Sequence, residues 1–261
     1  MKSVAIELSE NFHWIELHTF SDLHIGDVHC NMKKIKERLE DVLSKPNAFV
    51  ILNGDIMNNA TKTSISDSYA EEIPPMEQLQ RFVELFEPLA KENRILGATS
   101  GNHENRTYNK EGIDLTYLAM KQLGIQERYG KEGLVMFVRF GNSARHGKER
   151  KICYSIYATH GAGGGRRPGA KINRLEDMQS IISCDVYIHG HTHCPIVFKS
   201  ASYMCSPSSN SVYQMQHLFV NSSSMLEYGG YGQEKEFKPS SLDCPIVYLY
   251  DGREKKAEAK L

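Results

Sequence analysis

Several features that would place a chain in a special class are missing from this 261-residue sequence. Its six cysteines contain no CxxC pair, which argues against a structural zinc module and against a compact disulfide framework. No apolar run is long enough for a membrane span, and the opening segment MKSVAIELSENFHWIEL is too polar for a secretory signal. We therefore expect reduced thiols and a cytoplasmic protein without a membrane segment.

An excess of charge of either sign is also missing. The formal net charge of −1 gives no global attraction to nucleic acid or to a membrane surface, although a local patch can still form. Hydrophobic residues at 40% and charged residues at 24% are typical of a globular protein. Because no internal repeat or long linker interrupts the chain, we predict a single domain over residues 1–261, with a frayed tail at residues 252–261.

The first half of the chain alternates between strand and helix patterns. This order predicts largely parallel strands with helices packed outside them. The loops that follow the strands then gather at one edge of the sheet, where α/β proteins bind ligands. The predicted strands are His13–Phe20, Phe49–Leu52 and Arg94–Ser100, and the predicted helices are Asn31–Lys45 and Met76–Lys91.

After a helix at Asp114–Leu123 the pattern changes to strands, with one further helix at Arg174–Ile182. Two sheets packed face to face, with helices on their outer sides, would accommodate this order. We expect long loops at Ile65–Pro75 and Met204–Tyr213. The predicted strands are Leu134–Phe140, Ile152–Thr159, Asp185–His189, Pro195–Lys199, His217–Ser222 and Pro245–Tyr250.

Five of the predicted strands end in short groups of Asp, His or Asn. One such group is weak evidence, because these residues are common in turns and caps. Five in succession predict one composite site, and carboxylate oxygens mixed with imidazole nitrogens suit Mn, Fe, Zn or Ni. A carboxylate can be shared between two such ions. The groups are Ser21-Asp22-Leu23-His24, Asn53-Gly54-Asp55, Gly101-Asn102-His103-Glu104, Thr159-His160-Gly161 and Gly190-His191-Thr192-His193.

The order D-x-H, G-D, G-N-H-E, H-G and G-H-T-H resembles the motifs of the calcineurin-like metallophosphoesterase superfamily, from Asp22 to His193. The resemblance implies an α/β fold, a four-layer α/β/β/α sandwich of two mixed sheets, with a dinuclear metal site at the strand ends. It also implies two divalent ions, with Mn as the first candidate and Fe, Zn or Ni as alternatives. Such a pair of ions supplies hydroxide near neutral pH.

The resemblance assigns roles to individual residues. It places His103 opposite the substrate, where the imidazole either protonates the leaving oxygen or stabilises charge on the phosphoryl group. Asp55 counts both as a catalytic residue and as a ligand, while Glu104 orients or tunes His103 in one interpretation only. The implied metal ligands are Asp22, His24 and His193 for the first ion, Asn102, His160 and His191 for the second, and Asp55 between them.

The segment IHGHTHCP places three histidines within five residues, and they receive different interpretations. His191 and His193 would serve different ions. Gly190 gives the turn room beside them. His189 is predicted to end a strand and to pack behind the ligands.

Basic residues between Gly141 and Arg174 bear on the substrate. Arg166 and Arg167, in GGGRRPGAK after His160, would bind a phosphate next to the scissile one, although a solvated loop is the alternative. A nucleic acid or a nucleotide would benefit more from that contact than a small monoester, so we favour phosphodiester substrates.

Two further interpretations of function stay open. Arg106, in GNHENR, lies where the superfamily's protein phosphatases have a phosphate-contacting Arg, which supports a phosphomonoesterase or protein phosphatase. Against this interpretation, Gly54–Ala60 lacks the Arg of their G-D-x-x-D-R-G motif. A non-catalytic scaffold on the same fold is the alternative of another class, although all seven candidate ligands are present.

The short segment after His193 suits small bacterial or phage members better than nucleases with added DNA-binding segments. The sequence leaves the oligomeric state open.

Overall fold

The computed structural model describes residues 1–62, 64, 71–145, 148–252 and 254–261, without the side chains of 143–150 and Tyr231. The elements that these residues form, in chain order, are β1 (Lys2–Glu7), β2 (Trp14–Phe20), α1 (Met32–Ser44), β3 (Ala48–Asn53), α2 (Pro75–Lys91), β4 (Ile95–Thr99), α3 (Glu104–Glu111), α4 (Leu115–Gln122), a 3-10 turn (Gln126–Arg128), β5 (Leu134–Arg145), β6 (Lys148–Thr159), α5 (Pro168–Ile181), β7 (Val186–His189), β8 (Ile196–Ser206), β9 (Ser211–Asn221), α6 (Gly230–Glu234), β10 (Ile246–Tyr250) and β11 (Lys256–Lys260).

The strands form two mixed sheets. The larger sheet has the order β1-β5-β6-β7-β9-β8, and the smaller has the order β11-β10-β2-β3-β4. The neighbours β2, β3 and β4 are parallel, as predicted, and so are β6, β7 and β9. The loops that leave the carboxyl ends of these two groups of strands are therefore gathered at the same edge of each sheet.

The two sheets pack face to face with helices outside. Ile51 of the smaller sheet and Ile156 of the larger lie in one apolar core between the sheets. Helices α1, α2 and α4 cover the outer face of the smaller sheet, where Phe82 is buried. Helix α5 covers the larger sheet through Leu175, which packs with Tyr187. This helix, sheet, sheet, helix order is the α/β architecture that the sequence predicts.

The tail prediction is wrong for half of the ten residues. Residues Lys256–Lys260 form β11, which pairs antiparallel with β10. The Lys256 backbone N–H donates to the Tyr154 hydroxyl at 2.9 Å, and the Lys255 ammonium lies 2.7 Å from the Asp185 carboxylate. These tertiary contacts fix a segment whose charged composition alone predicts fraying.

The predicted loop at Met204–Tyr213 is also wrong, because β8 and β9 continue into it and leave only a short turn. Of the predicted loop Ile65–Pro75, residues 65–70 lie outside the described residues, and Pro75 begins α2. The assignment of residues 1–261 to one domain stays a prediction. No helix in the described part of the chain is long and apolar enough to cross a membrane.

Candidate metal centre

Loops that follow five strands bring the candidate ligands together. Ligand-type atoms within 4.8 Å of one another form three overlapping groups here, and a fourth group, Glu16, His18 and Asp41, shares no residue with them. Asn102 joins them through its Oδ1, which lies 2.8 Å from His191 Nδ1 and 3.3 Å from His160 Nε2. The structure thus gathers all seven side chains, and their role as ligands stays a prediction. The groups are Asp22, His24 and His193; His24, Asp55 and His103; and Asp55, His160 and His191.

Asp22 is buried, and its two carboxylate oxygens differ. Oδ2 accepts hydrogen bonds from the Ser21 hydroxyl and from the His191 backbone N–H. Oδ1 receives no hydrogen bond from the described residues, and His193 Nε2 lies 3.1 Å from it. Burial alone would raise the pKa of Asp22, but the positive charges of His160 and His193 lower it below its ordinary value. A buried, ionised oxygen without a donor suits a cation.

Both ring nitrogens of His160 face oxygen atoms. Its Nδ1–H donates to the Asn53 carbonyl at 2.8 Å, which leaves Nε2 facing Asp55 Oδ2 at 3.2 Å and Asn102 Oδ1 at 3.3 Å. Burial would lower the pKa of His160, but the negative charges of Asp55 and Asp22 raise it to about 10. Three acceptor atoms in this arrangement require a positive charge between them, either a proton or a metal ion.

The backbone at the candidate ligands is unusual. Five of them have a positive φ, although non-glycine residues rarely adopt this left-handed conformation. Such residues concentrate at functional sites, where the surrounding structure holds them in place. The five are Asp22 (53°), His24 (52°), Asp55 (49°), His191 (63°) and His193 (51°).

Two glycines allow the loops to approach one another. A Cβ on Gly190 would collide with the Ser21 hydroxyl and crowd Asp22 Oδ2, which supports the predicted need for room at this turn. A Cβ on Gly101 would collide with the Asp55 side chain and backbone. Larger residues at these two positions would therefore displace the candidate ligands.

Glu104 holds backbone N–H groups in place rather than the side chain of His103. Its carboxylate accepts hydrogen bonds from the N–H groups of Asp55 at 3.0 Å, Met57 at 2.9 Å and Gly101 at 2.9 Å. It thereby joins the loops that follow β3 and β4. Burial and the nearby negative charge of Asp55 raise the pKa of Glu104 to about 7. The interpretation in which Glu104 orients the His103 imidazole receives no support from these contacts.

His103 lies at the edge of the cluster, with a side chain that is 14% exposed. Its Nδ1–H donates to the Asn58 carbonyl at 2.7 Å, and its Nε2 accepts from Arg106 Nη2 at 3.0 Å. Asp55 Oδ2 is 3.8 Å from the same Nε2. Burial lowers the pKa of His103 despite the opposing effect of Asp55. Nε2 is therefore the nitrogen available for proton exchange, and Arg106 stands beside it.

The two predicted substrate arginines differ in their surroundings. Arg166 donates to the Lys235 carbonyl at 3.1 Å and lies over the Phe237 ring, whereas Arg167 is exposed at the start of α5. Lys171, which the sequence does not single out, donates to the Thr192 carbonyl at 2.8 Å. The side chains of Arg145, Lys148 and Arg150 in the basic stretch lie outside the description.

Asn221 is a supporting residue that the motifs do not identify. Its Nδ2 donates to the Thr192 hydroxyl at 2.9 Å and to the Cys194 carbonyl at 2.7 Å. Its Oδ1 accepts from His189 Nδ1 at 2.9 Å. Buried His189 thus supports the ligands from behind, as predicted, and packs against Gly161. The signal in the sequence is the polar group NSSS at a sixth strand end.

A profile of the calcineurin-like phosphoesterase family matches residues 23–195, and so includes the candidate ligands from His24 to His193. A comparison with curated proteins gave no match. Similar solved structures include a predicted phosphoesterase from Streptococcus pneumoniae, with 14% identity over 94% of this chain and 88% of that chain, at a TM-score of 0.38. Another is a Vps29 single mutant from Entamoeba histolytica, with 13% identity over 94% and 98%, at 0.41. Because the profile spans more than half of the sequence, the chain belongs to the calcineurin-like phosphoesterase family.

Proposed function

We propose that this protein hydrolyses phosphoester bonds with two divalent cations that share Asp55. The observation that carries this proposal is the position of Asp55, whose carboxylate groups both with His24 and with His160 and His191. One carboxylate between two sets of donors is the arrangement that a dinuclear site requires. The proposed ligands are Asp22, His24 and His193 for one ion and Asn102, His160 and His191 for the other.

The donor atoms fit cations of this kind. Asp22 Oδ1 is buried and receives no hydrogen bond from the part of the chain that the structure describes, and His160 Nε2 faces two oxygens. Mixed oxygen and imidazole donors suit Mn as the first candidate, with Fe, Zn or Ni as alternatives. Bound there, two divalent cations would activate water near neutral pH and neutralise phosphate oxygens.

His103 and Arg106 would act beside the ions. The Nδ1–H of His103 is held by the Asn58 carbonyl, so Nε2 is the atom that would exchange a proton. Once protonated and released from Arg106, Nε2 would donate that proton to the leaving oxygen or stabilise phosphoryl charge. Arg106 contacts that same Nε2, and its guanidinium would bind a phosphoryl oxygen.

For the substrate we favour a phosphodiester, either nucleic acid or a nucleotide. Arg167 is exposed at the start of α5, where it is available to a second phosphate, while Arg166 would first have to leave the Lys235 carbonyl. The contact between Arg106 and His103 favours the second candidate, a phosphomonoesterase or protein phosphatase. A scaffold without activity would not need the complete donor set.

The test of catalysis is hydrolysis of bis-nitrophenyl phosphate with Mn²⁺, Fe²⁺, Zn²⁺ or Ni²⁺. We expect activity in the wild type and a loss of about 100-fold or more in Asp55→Asn, since that change removes the shared charged ligand. Asp177→Asn, an exposed change of the same kind on α5, is the matched control and should retain full activity. An inert wild type with all four metals would contradict the enzymatic proposal.

The test of substrate class compares single-stranded DNA, a cyclic dinucleotide, a phosphopeptide and nitrophenyl phosphate. If diesters are the substrates, Arg166→Ala with Arg167→Ala should reduce DNA hydrolysis much more than nitrophenyl phosphate hydrolysis. If monoesters are the substrates, Arg106→Ala should raise KM for the phosphopeptide, and the double variant should have little effect.

A further inference from the structure

The outer half of the hairpin formed by β8 and β9 is exposed to solvent. We call residues 200–216 the hairpin arm. Within it, Tyr203 is 75% exposed, Val212 64% and Tyr213 52%. The residues that follow, from His217 to Asn221, are buried in the sheet. The arm is therefore regular β-structure that presents aromatic and aliphatic side chains to water.

The hairpin arm contains no charged residue. Residues 200–216 include no Asp, Glu, Lys or Arg, whereas 24% of the whole chain is charged. Exposed strands in soluble proteins ordinarily carry charges, because charged side chains discourage association with other strands. An uncharged and exposed strand pair of this length is suited to contact with another protein surface.

Strand β8 also lies at the edge of the larger sheet. Among the described strands it pairs only with β9, so one side of its backbone has no strand partner. Its pairing with β9 continues from Ile196↔Asn221 to Ser206↔Ser211 without a bulge. Proline, bulges and charged side chains are the usual protections of such an edge, and the exposed part of β8 has none of them.

Other edge strands in the same molecule are protected. Strand β1 carries Lys2 and Glu7, and β11 alternates Lys256, Glu258 and Lys260. The short edge strand β4 is partly covered by a bridge between Ala98 and Tyr129. Among the edge strands of the two sheets, the unprotected edge is thus specific to β8 in the hairpin arm.

We propose that the free edge of β8 pairs antiparallel with β8 of a second copy of this chain, about a two-fold axis through the arm. A two-fold axis relates a strand to its own copy in the antiparallel sense, so no second complementary surface is needed. An uncharged strand finds an equally uncharged partner in its copy, and a net charge of −1 per chain gives little repulsion. The pairing joins the two larger sheets into one.

The position of Lys199 fits this pairing. It is the only charged residue of β8 and precedes the arm. A two-fold axis near the middle of the exposed part of β8 keeps the two copies of Lys199 away from each other. Strand β9 runs parallel to β7 and ends at the metal centre, so the arm lies at the opposite end of the strands. Both metal centres therefore stay open in the dimer.

The first test is sedimentation velocity of the wild-type chain from about 1 to about 200 μM, a range that covers modest interfaces. We expect the mass to rise from 29.6 kDa towards twice that value. Hydrogen exchange should slow in β8 of the arm over the same range, because its edge amides become paired. A chain that stays monomeric throughout overturns the proposal.

Charge variants test where the copies meet. Ala201→Lys with Tyr203→Lys, and separately Ala201→Glu with Tyr203→Glu, should each weaken association about tenfold or more, because like charges meet across the axis. An equimolar mixture of the two variants should restore the dimer, since Lys then faces Glu. Met76→Lys, a change at an exposed residue of α2, should associate like the wild type.

Other outcomes of these variants contradict the proposal. If both double variants dimerise like the wild type, another surface forms the contact. If they dissociate but their mixture stays monomeric, the two β8 strands do not face one another. Circular dichroism and an unchanged thermal unfolding transition verify that each variant is folded. Should a double variant not fold, Tyr203→Ser alone adds no charge and should still weaken association.

Discussion

The side-chain amide of Asn221 donates a hydrogen bond to the hydroxyl of Thr192, with Nδ2 and Oγ1 2.9 Å apart. This contact ties the end of β9 to the loop that carries His191 and His193. The same amide group reaches the Cys194 carbonyl, so it holds the loop on both sides of His193. The positions of two candidate ligands thus depend on a residue that is not itself a candidate ligand.

Removing this support should weaken metal binding. Asn221→Ala leaves the Thr192 hydroxyl and the Cys194 carbonyl without their donor, and we expect metal affinity to fall by about 10- to 100-fold. Calorimetric titration with Mn²⁺ or Zn²⁺ measures the change. Asn173→Ala, on the exposed side of α5, is the control and should bind the metal as the wild type does. Equal affinities of all three proteins would contradict a supporting role.

The three histidines of IHGHTHCP should be separable by metal content. His193 groups with Asp22 and His24, and His191 groups with Asp55 and His160, so each alanine variant should lose a different ion. His189→Ala should retain both ions and lose stability instead, because His189 is buried behind the loop. Elemental analysis of the dialysed proteins gives the ion count. Loss of either ion from a folded His189→Ala variant would contradict this separation.

Glu104 should matter for stability even without metal. Its carboxylate accepts three backbone N–H groups, and Glu104→Ala would leave these donors buried without a partner. We expect a loss of about 2–5 kcal/mol in the free energy of unfolding, measured by urea denaturation of the metal-free protein. Glu111→Ala, an exposed residue of the same helix, should change it by less than about 0.5 kcal/mol.

A pH dependence is expected from His18, which is buried in β2. Burial lowers the pKa of His18 even though its Nε2 lies 2.9 Å from Glu16. The unfolded chain therefore binds a proton below about pH 6.5 that the folded chain does not, so stability should fall as the pH drops from about 7 to about 5. Thermal unfolding across this range tests it. In His18→Gln the decline should be shallower, and an unchanged slope would assign it to other groups.

The strand-end groups could be predicted because each motif is local while their meeting point follows from parallel topology. Asp22 and His193 are far apart in the sequence and follow strands of different sheets, each at the carboxyl end of its parallel strands, yet His193 Nε2 lies 3.1 Å from Asp22 Oδ1. The part played by Glu104 could not be predicted, since its partners are backbone N–H groups that carry no sequence signal.

In the hairpin arm the sequence predicts a loop where the structure has two strands. Its Ser, Pro and Asn residues predict a loop, and only the turn near Pro207 is one. Tyr203 and Val212 lie in strands because each segment pairs with the other, and single-segment propensity does not report such a partner. Tertiary contacts at Tyr154 likewise order the tail that composition alone assigns to fraying.

The left-handed backbone at the candidate ligands restricts what can be transplanted. The N–H groups of Asp22 and His24 donate to the carbonyls of Gly54 and Asp55, so the first two loops hold each other in these torsions. Copying the seven side chains onto another sheet would keep the chemistry of the donor atoms but would lose the orientation of the side chains. The unit that would have to be transferred is the pair of hydrogen-bonded loops with their backbone torsions. These loops preorganise the candidate ligands before a cation binds.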